Sequence, residues 1–144
     1  MTRESSELKK FSHSVGQNWY HVVLIPKCRY PVFAQAHQRD LAIKAIEWIC
    51  SRHSIDLYTK EVAEDHVHLF VSCPPDYSIR KLVQIIKGGT SYYIRSHHPA
   101  LRQYKAFWSK GFMYRSVGNV SAKIVERYIK FSNKWICSRQ KKLV

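Results

Sequence analysis

The chain has 144 residues, enough for one domain with a hydrophobic core but short for two. Hydrophobic residues make up 45% of the sequence and aromatic residues 13%, a composition that excludes a largely disordered chain. The 24 Lys and Arg residues outnumber the 10 Asp and Glu residues, and the resulting charge of +14 favours nucleic acid over a membrane surface as partner.

The sequence also indicates where the protein is located and whether its cysteines form metal sites or disulfides. No apolar run approaches the roughly eighteen residues of a membrane helix, and the polar N-terminus MTRESSELKK does not resemble a cleavable signal. We therefore expect a soluble intracellular protein. The four cysteines are scattered without a C-x-x-C pair, which argues against a zinc knuckle and against a disulfide framework.

The first part of the chain predicts an arm followed by a strand. Residues 1–17 are polar and lack periodicity, so we expect a mobile basic arm. A single domain is expected over residues 18–138 and a charged tail over residues 139–144. The segment Asn18–Ile25 is rich in β-branched and aromatic residues and stops at Pro26, which predicts the first strand.

The middle of the chain predicts a helix, two strands and a second helix. Apolar residues at helical spacing from Asp40 to about His53 predict the first helix. A strand at Ile55–Val62 turns directly into a mostly buried strand within Val62–Ser72. Ser78 is a plausible N-cap for a helix to Ser96, although Gly88 and Gly89 interrupt or weaken it.

The remaining elements complete a known plan. Gly111–Val117 predicts a fourth strand, and Ser121 caps a last helix with apolar residues at helical spacing. The order strand, helix, strand, strand, helix, strand, helix predicts an α+β fold, a ferredoxin-like βαββαβ antiparallel sheet with an added C-terminal helix. In that plan the first and third strands are adjacent at the centre of the sheet.

The third predicted strand carries His66 and His68, with Val67 between them. Residues two apart in a strand point to the same face, about 6.5 to 7 Å apart, so two imidazoles could converge on one metal ion. The alternative is two ordinary histidines on a solvated face, because H-x-H is a short pattern that often occurs by chance. The spacing alone leaves both interpretations open.

Tyr128 in the last helix could by itself be a core residue. Together with the histidine pair, the charge and the element order, however, it makes the chain resemble the TnpA transposases of small bacterial and archaeal insertion sequences, the single-tyrosine branch of the HUH endonucleases. The residues that carry the resemblance are Trp19-Tyr20-His21-Val22-Val23-Leu24-Ile25-Pro26-Lys27, Asp65-His66-Val67-His68-Leu69-Phe70, and Gly118-Asn119-Val120-Ser121 leading to Tyr128-Ile129.

The resemblance implies a reaction and its components. Tyr128 would be the nucleophile, and His66 and His68 would hold a divalent metal, Mg²⁺ or Mn²⁺. The enzyme would cleave and rejoin single-stranded DNA at element ends through a 5′-phosphotyrosine intermediate. The resemblance further implies a homodimer, recognition of hairpin-containing element ends, and a prokaryotic cytoplasmic location at the nucleoid.

One position departs from the family. Where the family generally has a glutamine four residues after the tyrosine, this chain has Ser132, followed by Asn133. Ser132 could bind the metal through a water, Asn133 could reach it, or metal binding and activity could be impaired. Candidate DNA contacts, each of which could equally be a solvated cation, are Lys87, Arg95, Lys110 and Arg115.

The sequence is also compatible with three alternatives to the transposase hypothesis. The chain could be a non-catalytic ferredoxin-like nucleic-acid-binding protein that uses aromatic and basic residues of its sheet. It could be an impaired or domesticated HUH relative. It could also be a metal-dependent hydrolase that uses the two histidines and a water, with no covalent bond to DNA.

Overall fold

The structure is a computed structural model that describes residues 8–103, 106–118, 121 and 123–131. Six strands and three α-helices occur in these residues, and two short 3-10 turns cover Lys27–Arg29 and Pro99–Gln103. The elements in chain order are β1 (Lys9–Lys10), β2 (Val15–Gly16), β3 (Trp19–Leu24), α1 (Ala36–Arg52), β4 (Leu57–Val62), β5 (Val67–Ser72), α2 (Ile79–His97), β6 (Met113–Val117) and α3 (residues 123–131).

Part of the segment predicted as a mobile arm has regular structure. Strands β1 and β2 pair as a small antiparallel hairpin, with Lys9 opposite Gly16. The ammonium group of Lys9 lies 3.3 Å from a carboxylate oxygen of Asp56 and also donates to the carbonyl of Ser54. The hairpin is too short to give a periodic sequence pattern, which is why the composition of residues 1–17 did not predict it.

The main sheet has four antiparallel strands in the order β4-β5-β3-β6. Strand β3 pairs with β5 from Trp19 opposite Ser72 to Leu24 opposite Val67, and with β6 along its other edge. The predicted α+β fold with an antiparallel sheet and a C-terminal helix is confirmed, and β3 and β5 occupy the centre as expected. The residues of these two strands are therefore nearly all buried.

Helix α1 begins earlier than predicted. The sequence placed its start at Asp40, but the helix starts at Ala36. The Gln35 side chain accepts a bond from the backbone of Gln38, whose side chain bonds in return to the backbone N–H of Gln35. Glutamine is an uncommon N-cap, so this start carries no strong sequence signal.

Helix α2 continues through both glycines. Ser78 caps it as predicted, because its hydroxyl accepts a 3.0 Å bond from the backbone N–H of Lys81. Gly89 lies where α2 crosses α1, and a Cβ placed there would come within 2.3 Å of two side-chain carbons of Ile49. The missing side chain therefore lets the two helices pack closely.

The two faces of the sheet have different partners. One face, formed by alternate residues such as Val22 and Leu69, packs against α1 and α2 in the main hydrophobic core. The other face carries Trp19 and Phe70, against which Tyr128 and Val125 of α3 pack. Because side chains alternate along a strand, His21 and His68 point to this second face.

Helix α3 begins as the sequence predicted. The hydroxyl of Ser121 accepts a 3.3 Å bond from the backbone N–H of Ile124, and its carbonyl accepts a 2.9 Å bond from the N–H of Val125. Both bonds are typical of a helix N-cap. The cap places the apolar side of α3 on the sheet face that holds the histidines.

Candidate active site

The paired histidines lie close together but in different settings. The rings of His66 and His68 are perpendicular, with centroids 4.8 Å apart. His68 belongs to the central strand β5 and is 1% exposed, whereas His66 precedes the first residue of that strand. The pleat of the strand therefore fixes the direction of His68, whereas His66 needs other contacts to fix its orientation.

Those contacts come from a carboxylate. One oxygen of Asp65 lies 2.7 Å from Nδ1 of His66, and the other accepts a 2.7 Å bond from Nε of Arg29. Asp65 belonged to the sequence motif, but no role had been predicted for it or for Arg29. The two residues are 36 positions apart, so only the fold brings them together.

Arg29 reaches this carboxylate from a strained turn. Cys28 and Arg29 have backbone φ angles of 57° and 54°, in the left-handed region that residues other than glycine rarely adopt. Such conformations cost on the order of 1–3 kcal/mol each, and they persist where the surrounding structure enforces them. After this turn, the N–H of Phe33 donates a hydrogen bond to the carbonyl of Glu64. This bond connects the segment to the turn between β4 and β5, next to His66.

His21 is a component of the site that sequence reasoning missed. It is fully buried in the neighbouring strand β3, and its Nε2 lies 3.2 Å from Nδ1 of His68. Its ring stacks on Phe70 at a centroid distance of 4.6 Å and on His68 at 5.4 Å. The available signal was its alternation with Trp19 in a buried strand, but its partner depends on the pairing register of β3 with β5.

Tyr128 lies on the same side of the sheet. Its half-buried ring stacks on His21 at a centroid distance of 5.8 Å. The guanidinium carbon of Arg115 lies 5.1 Å from the Tyr128 ring centroid and 5.2 Å from that of Phe131. A continuous series of ring contacts therefore leads from the predicted nucleophile through His21 and His68 to His66.

Burial favours neutral imidazoles in this cluster. It lowers the pKa of His21 from 6.5 to about 4, because the charged form would lose its hydration. The pKa of His68 falls to about 3, mainly through burial and further through the charges of His66 and His21. Both rings are thus uncharged at neutral pH, the state in which a ring nitrogen can bind a metal ion.

The described residues could supply some, but not all, of the ligands of a metal ion. Among the described residues, no group of three or more His, Cys, Asp or Glu side chains is placed to hold a metal ion. The two imidazoles still offer nitrogen ligands, and the carboxylate beside His66 is the usual second partner of a metal-binding histidine. The predicted further ligands, Ser132 and Asn133, lie outside the described residues.

The four predicted DNA contacts have varied surroundings, and of these Lys110 is exposed. The ammonium group of Lys87 donates to the carbonyls of Ser109, Lys110 and Gly111, at 2.8, 3.4 and 2.9 Å, so it holds the loop before β6. Arg115 stacks on the aromatic rings of α3. Arg95 lines an open depression on α2 together with Tyr92.

None of the helices in the described part of the chain is long and apolar enough to cross a membrane.

The chain resembles known transposases in sequence. Residues 14–132 match the family described as IS200-like transposase. The chain is 26% identical over 125 residues to the transposase for insertion sequence element IS200 of Salmonella typhimurium, with 85% of this chain and 81% of that protein covered. It is 25% identical over 126 residues to the ISDra2 transposase TnpA of Deinococcus radiodurans, with 85% and 89% covered.

Two solved structures share the fold. A crystal structure of a Deinococcus radiodurans protein assigned as a transposase superposes with a TM-score of 0.71 at 22% identity and covers 88% of this chain and 96% of its own. A REP-associated tyrosine transposase bound to a REP hairpin superposes with a TM-score of 0.54 at 16% identity and covers 85% and 67%. At these identities the superpositions bear on the fold alone.

Proposed function

The chain belongs to the IS200-like transposase family, and from this premise we propose that it cleaves and rejoins single-stranded DNA through a covalent bond to Tyr128. The phenolic oxygen attacks a DNA phosphorus, a Tyr–O–P bond forms and the bond from phosphorus to the 3′ oxygen breaks. The products are a 5′-phosphotyrosine and a free 3′-hydroxyl. A second 3′-hydroxyl then attacks the phosphotyrosine, releases the phenol and rejoins the strands.

The observation that carries the proposal is the stacking of Tyr128 on His21, which in turn is within hydrogen-bond distance of His68. A tyrosine in an amphipathic helix is usually a packing residue, and packing alone does not require a neighbouring pair of buried histidines. Burial of polar rings costs free energy unless they are paired or used. The same face of the sheet therefore collects the nucleophile and the nitrogen donors that the reaction needs.

The phenol must lose its proton to act as a nucleophile. A tyrosine has an ordinary pKa near 10, so positive charge nearby and an acceptor such as water are required. Arg115 supplies a cation 5.1 Å from the ring centroid. Its guanidinium contacts both Tyr128 and Phe131, which also holds α3 against the sheet.

We assign His66 and His68 as ligands of a divalent cation, Mn²⁺ or Mg²⁺. Imidazole nitrogen suits Mn²⁺ better, because Mg²⁺ prefers oxygen ligands. When bound, this cation would polarise a non-bridging phosphate oxygen and neutralise charge in the transition state. Ser132 and Asn133 are the proposed residues for its remaining coordination, directly or through water.

The substrate is proposed to be single-stranded DNA with hairpins at element ends. The net charge of +14 attracts the phosphates of DNA before any specific contact forms. A solved tyrosine transposase with the same fold is bound to a REP hairpin, which supports a hairpin substrate here. We further propose a homodimer that acts on nucleoid DNA in the cytoplasm, with Lys110 and Arg95 as phosphate contacts.

A denaturing gel tests the proposal. Single-stranded DNA that carries an element end and a label at its 3′ end is incubated with the protein and Mn²⁺, and the label is expected to migrate with the protein. Tyr128→Phe should abolish this adduct, whereas Tyr92→Phe, a change at an exposed tyrosine on α2, should retain it.

Other outcomes identify other functions. DNA binding without an adduct or cleavage products would indicate a non-catalytic binding protein. Cleavage that persists in Tyr128→Phe without any adduct would indicate a metal-dependent hydrolase. Either result would refute the tyrosine mechanism.

A further inference from the structure

The carboxylate of Asp65 bridges two residues that come from different parts of the chain. One oxygen contacts Nδ1 of His66 at 2.7 Å, and the other contacts Nε of Arg29 at 2.7 Å. We propose that Asp65 and Arg29 are positioning residues that hold His66 with its proton on Nδ1 and its lone pair on Nε2. This inference rests on the proposed role of His66 as a ligand of a divalent cation.

The chemistry of the contact sets the roles of the two ring nitrogens. An ionised carboxylate has no hydrogen to donate, so Nδ1 of His66 must be the donor toward Asp65. A neutral imidazole that carries its proton on Nδ1 has its lone pair on Nε2. Nε2 is then the nitrogen that remains for a cation.

His66 needs such a partner more than His68 does. The ring of His68 is enclosed by other side chains and is 1% exposed, so packing limits its orientation. The side chain of His66 is 14% exposed and precedes β5, beyond the regular pleat of the strand. Without the carboxylate, its ring could turn or exchange tautomers at lower cost.

Arg29 in turn restrains the carboxylate. Its Nε bond occupies the oxygen of Asp65 that His66 does not use, so rotation of the carboxylate would break a bond on either side. The left-handed backbone at Cys28 and Arg29 shows that the surrounding structure enforces this turn. The side chains of Arg29 and Asp65 are also only 18% and 25% exposed, which reduces screening by water.

Glu64, which precedes Asp65, provides a matched control for the loss of one negative charge. Glu64 is exposed and belongs to the same β4–β5 turn as Asp65, and its backbone carbonyl accepts a hydrogen bond from the N–H of Phe33. Glu64→Gln therefore removes one negative charge from the turn and leaves the contact with His66 intact. Asp65→Asn removes the same charge and also replaces a pure acceptor by a group that can donate to Nδ1.

Two measurements on the folded protein test the inference. In the metal-free protein, ¹⁵N–¹H correlation of the imidazole nitrogens should show one His66 tautomer, protonated at Nδ1, in the parent and in Glu64→Gln. Asp65→Asn should shift His66 toward the other tautomer or a mixture. Manganese affinity, followed by electron paramagnetic resonance, should fall by about 10–100-fold in Asp65→Asn and less than twofold in Glu64→Gln.

A second pair of variants covers the case in which Asp65→Asn is poorly folded. Arg29→Gln removes the cation and should weaken manganese binding, whereas Arg29→Lys keeps a cation and should recover part of that loss. An unchanged His66 tautomer together with unchanged manganese affinity in Asp65→Asn and Arg29→Gln would overturn the inference.

The proposed ligand role of His66 can fail separately. If His66→Ala binds manganese as well as the parent does, His66 is not a ligand, and the affinity part of the inference is refuted with it. The tautomer measurement needs no metal and no DNA, so it still decides whether Asp65 orients the ring.

Discussion

Adjacent glycines in α2 should respond in opposite directions to the same substitution. A Cβ added at Gly88 would meet no atom within 4 Å. A Cβ added at Gly89 would lie 2.3 Å from Cδ1 and Cγ1 of Ile49 and 3.0 Å from its Cβ. The Ile49 Cβ is attached to the backbone of α1, so a change of rotamer cannot remove that last contact.

The magnitudes follow from two opposing effects. Alanine is favoured over glycine by about 1 kcal/mol inside a helix, so Gly88→Ala should raise the free energy of unfolding by up to that amount. Gly89→Ala gains the same propensity but adds an atom to a closely packed contact, which typically costs about 1–3 kcal/mol. We therefore expect Gly89→Ala to be net destabilising, by up to about 2 kcal/mol.

Urea denaturation followed by tryptophan fluorescence would measure both changes, and a thermal scan should separate the two melting temperatures by several degrees. A third variant tests the cause. Ile49→Ala removes Cγ1 and Cδ1, so adding Gly89→Ala on that background should cost at least about 0.5 kcal/mol less than it does in the parent. Equal effects of the two glycine substitutions, or no coupling with Ile49, would refute the proposed helix contact.

Two further predictions concern pH and the loop before β6. Because burial lowers the pKa of His21 to about 4 and of His68 to about 3, the unfolded metal-free chain binds more protons than the folded one below pH 6.5. The free energy of unfolding of the metal-free protein should therefore fall as the pH decreases from 6.5 to 5, by roughly 1.5 kcal/mol from His21 alone, and urea titrations that show constant stability would contradict this. Lys87→Met removes the cation that binds three carbonyls and should lower the free energy of unfolding by about 1.5–3 kcal/mol in urea denaturation. Lys81→Met, at an exposed lysine of the same helix, should change it by less than about 0.5 kcal/mol, and equal losses in the two variants would exclude the anchoring role.

The strands and helices were predictable where the hydrophobic pattern was strong. β3 and β5 are rich in buried β-branched and aromatic residues, and α2 has a clear apolar side, so local pattern and final structure agree. The start of α1 was not predictable, since it depends on a reciprocal bond between Gln35 and Gln38. The hairpin at Lys9–Gly16 was missed because two-residue strands have too few positions to show a period.

The roles of individual cations also required the structure. Lys87 and Arg115 were predicted as DNA contacts because of their charge alone. The fold engages the first with loop carbonyls and the second with the rings of Tyr128 and Phe131. A sequence shows that a cation exists, whereas its partner depends on which loops and helices the fold brings near it.

The sequence by itself predicted the fold class, the family resemblance and three candidate site residues, His66, His68 and Tyr128. It could do so because hydrophobic periodicity and short motifs are local properties of the chain, which can be recognised without knowledge of its long-range contacts. Only the tertiary structure brought in His21 as the partner of His68 and Arg29 as the partner of Asp65, since these contacts span 47 and 36 positions along the chain and depend on strand register and on a strained turn. Long-range contacts of this kind have no pattern in a single sequence, because they exist only once the chain has folded.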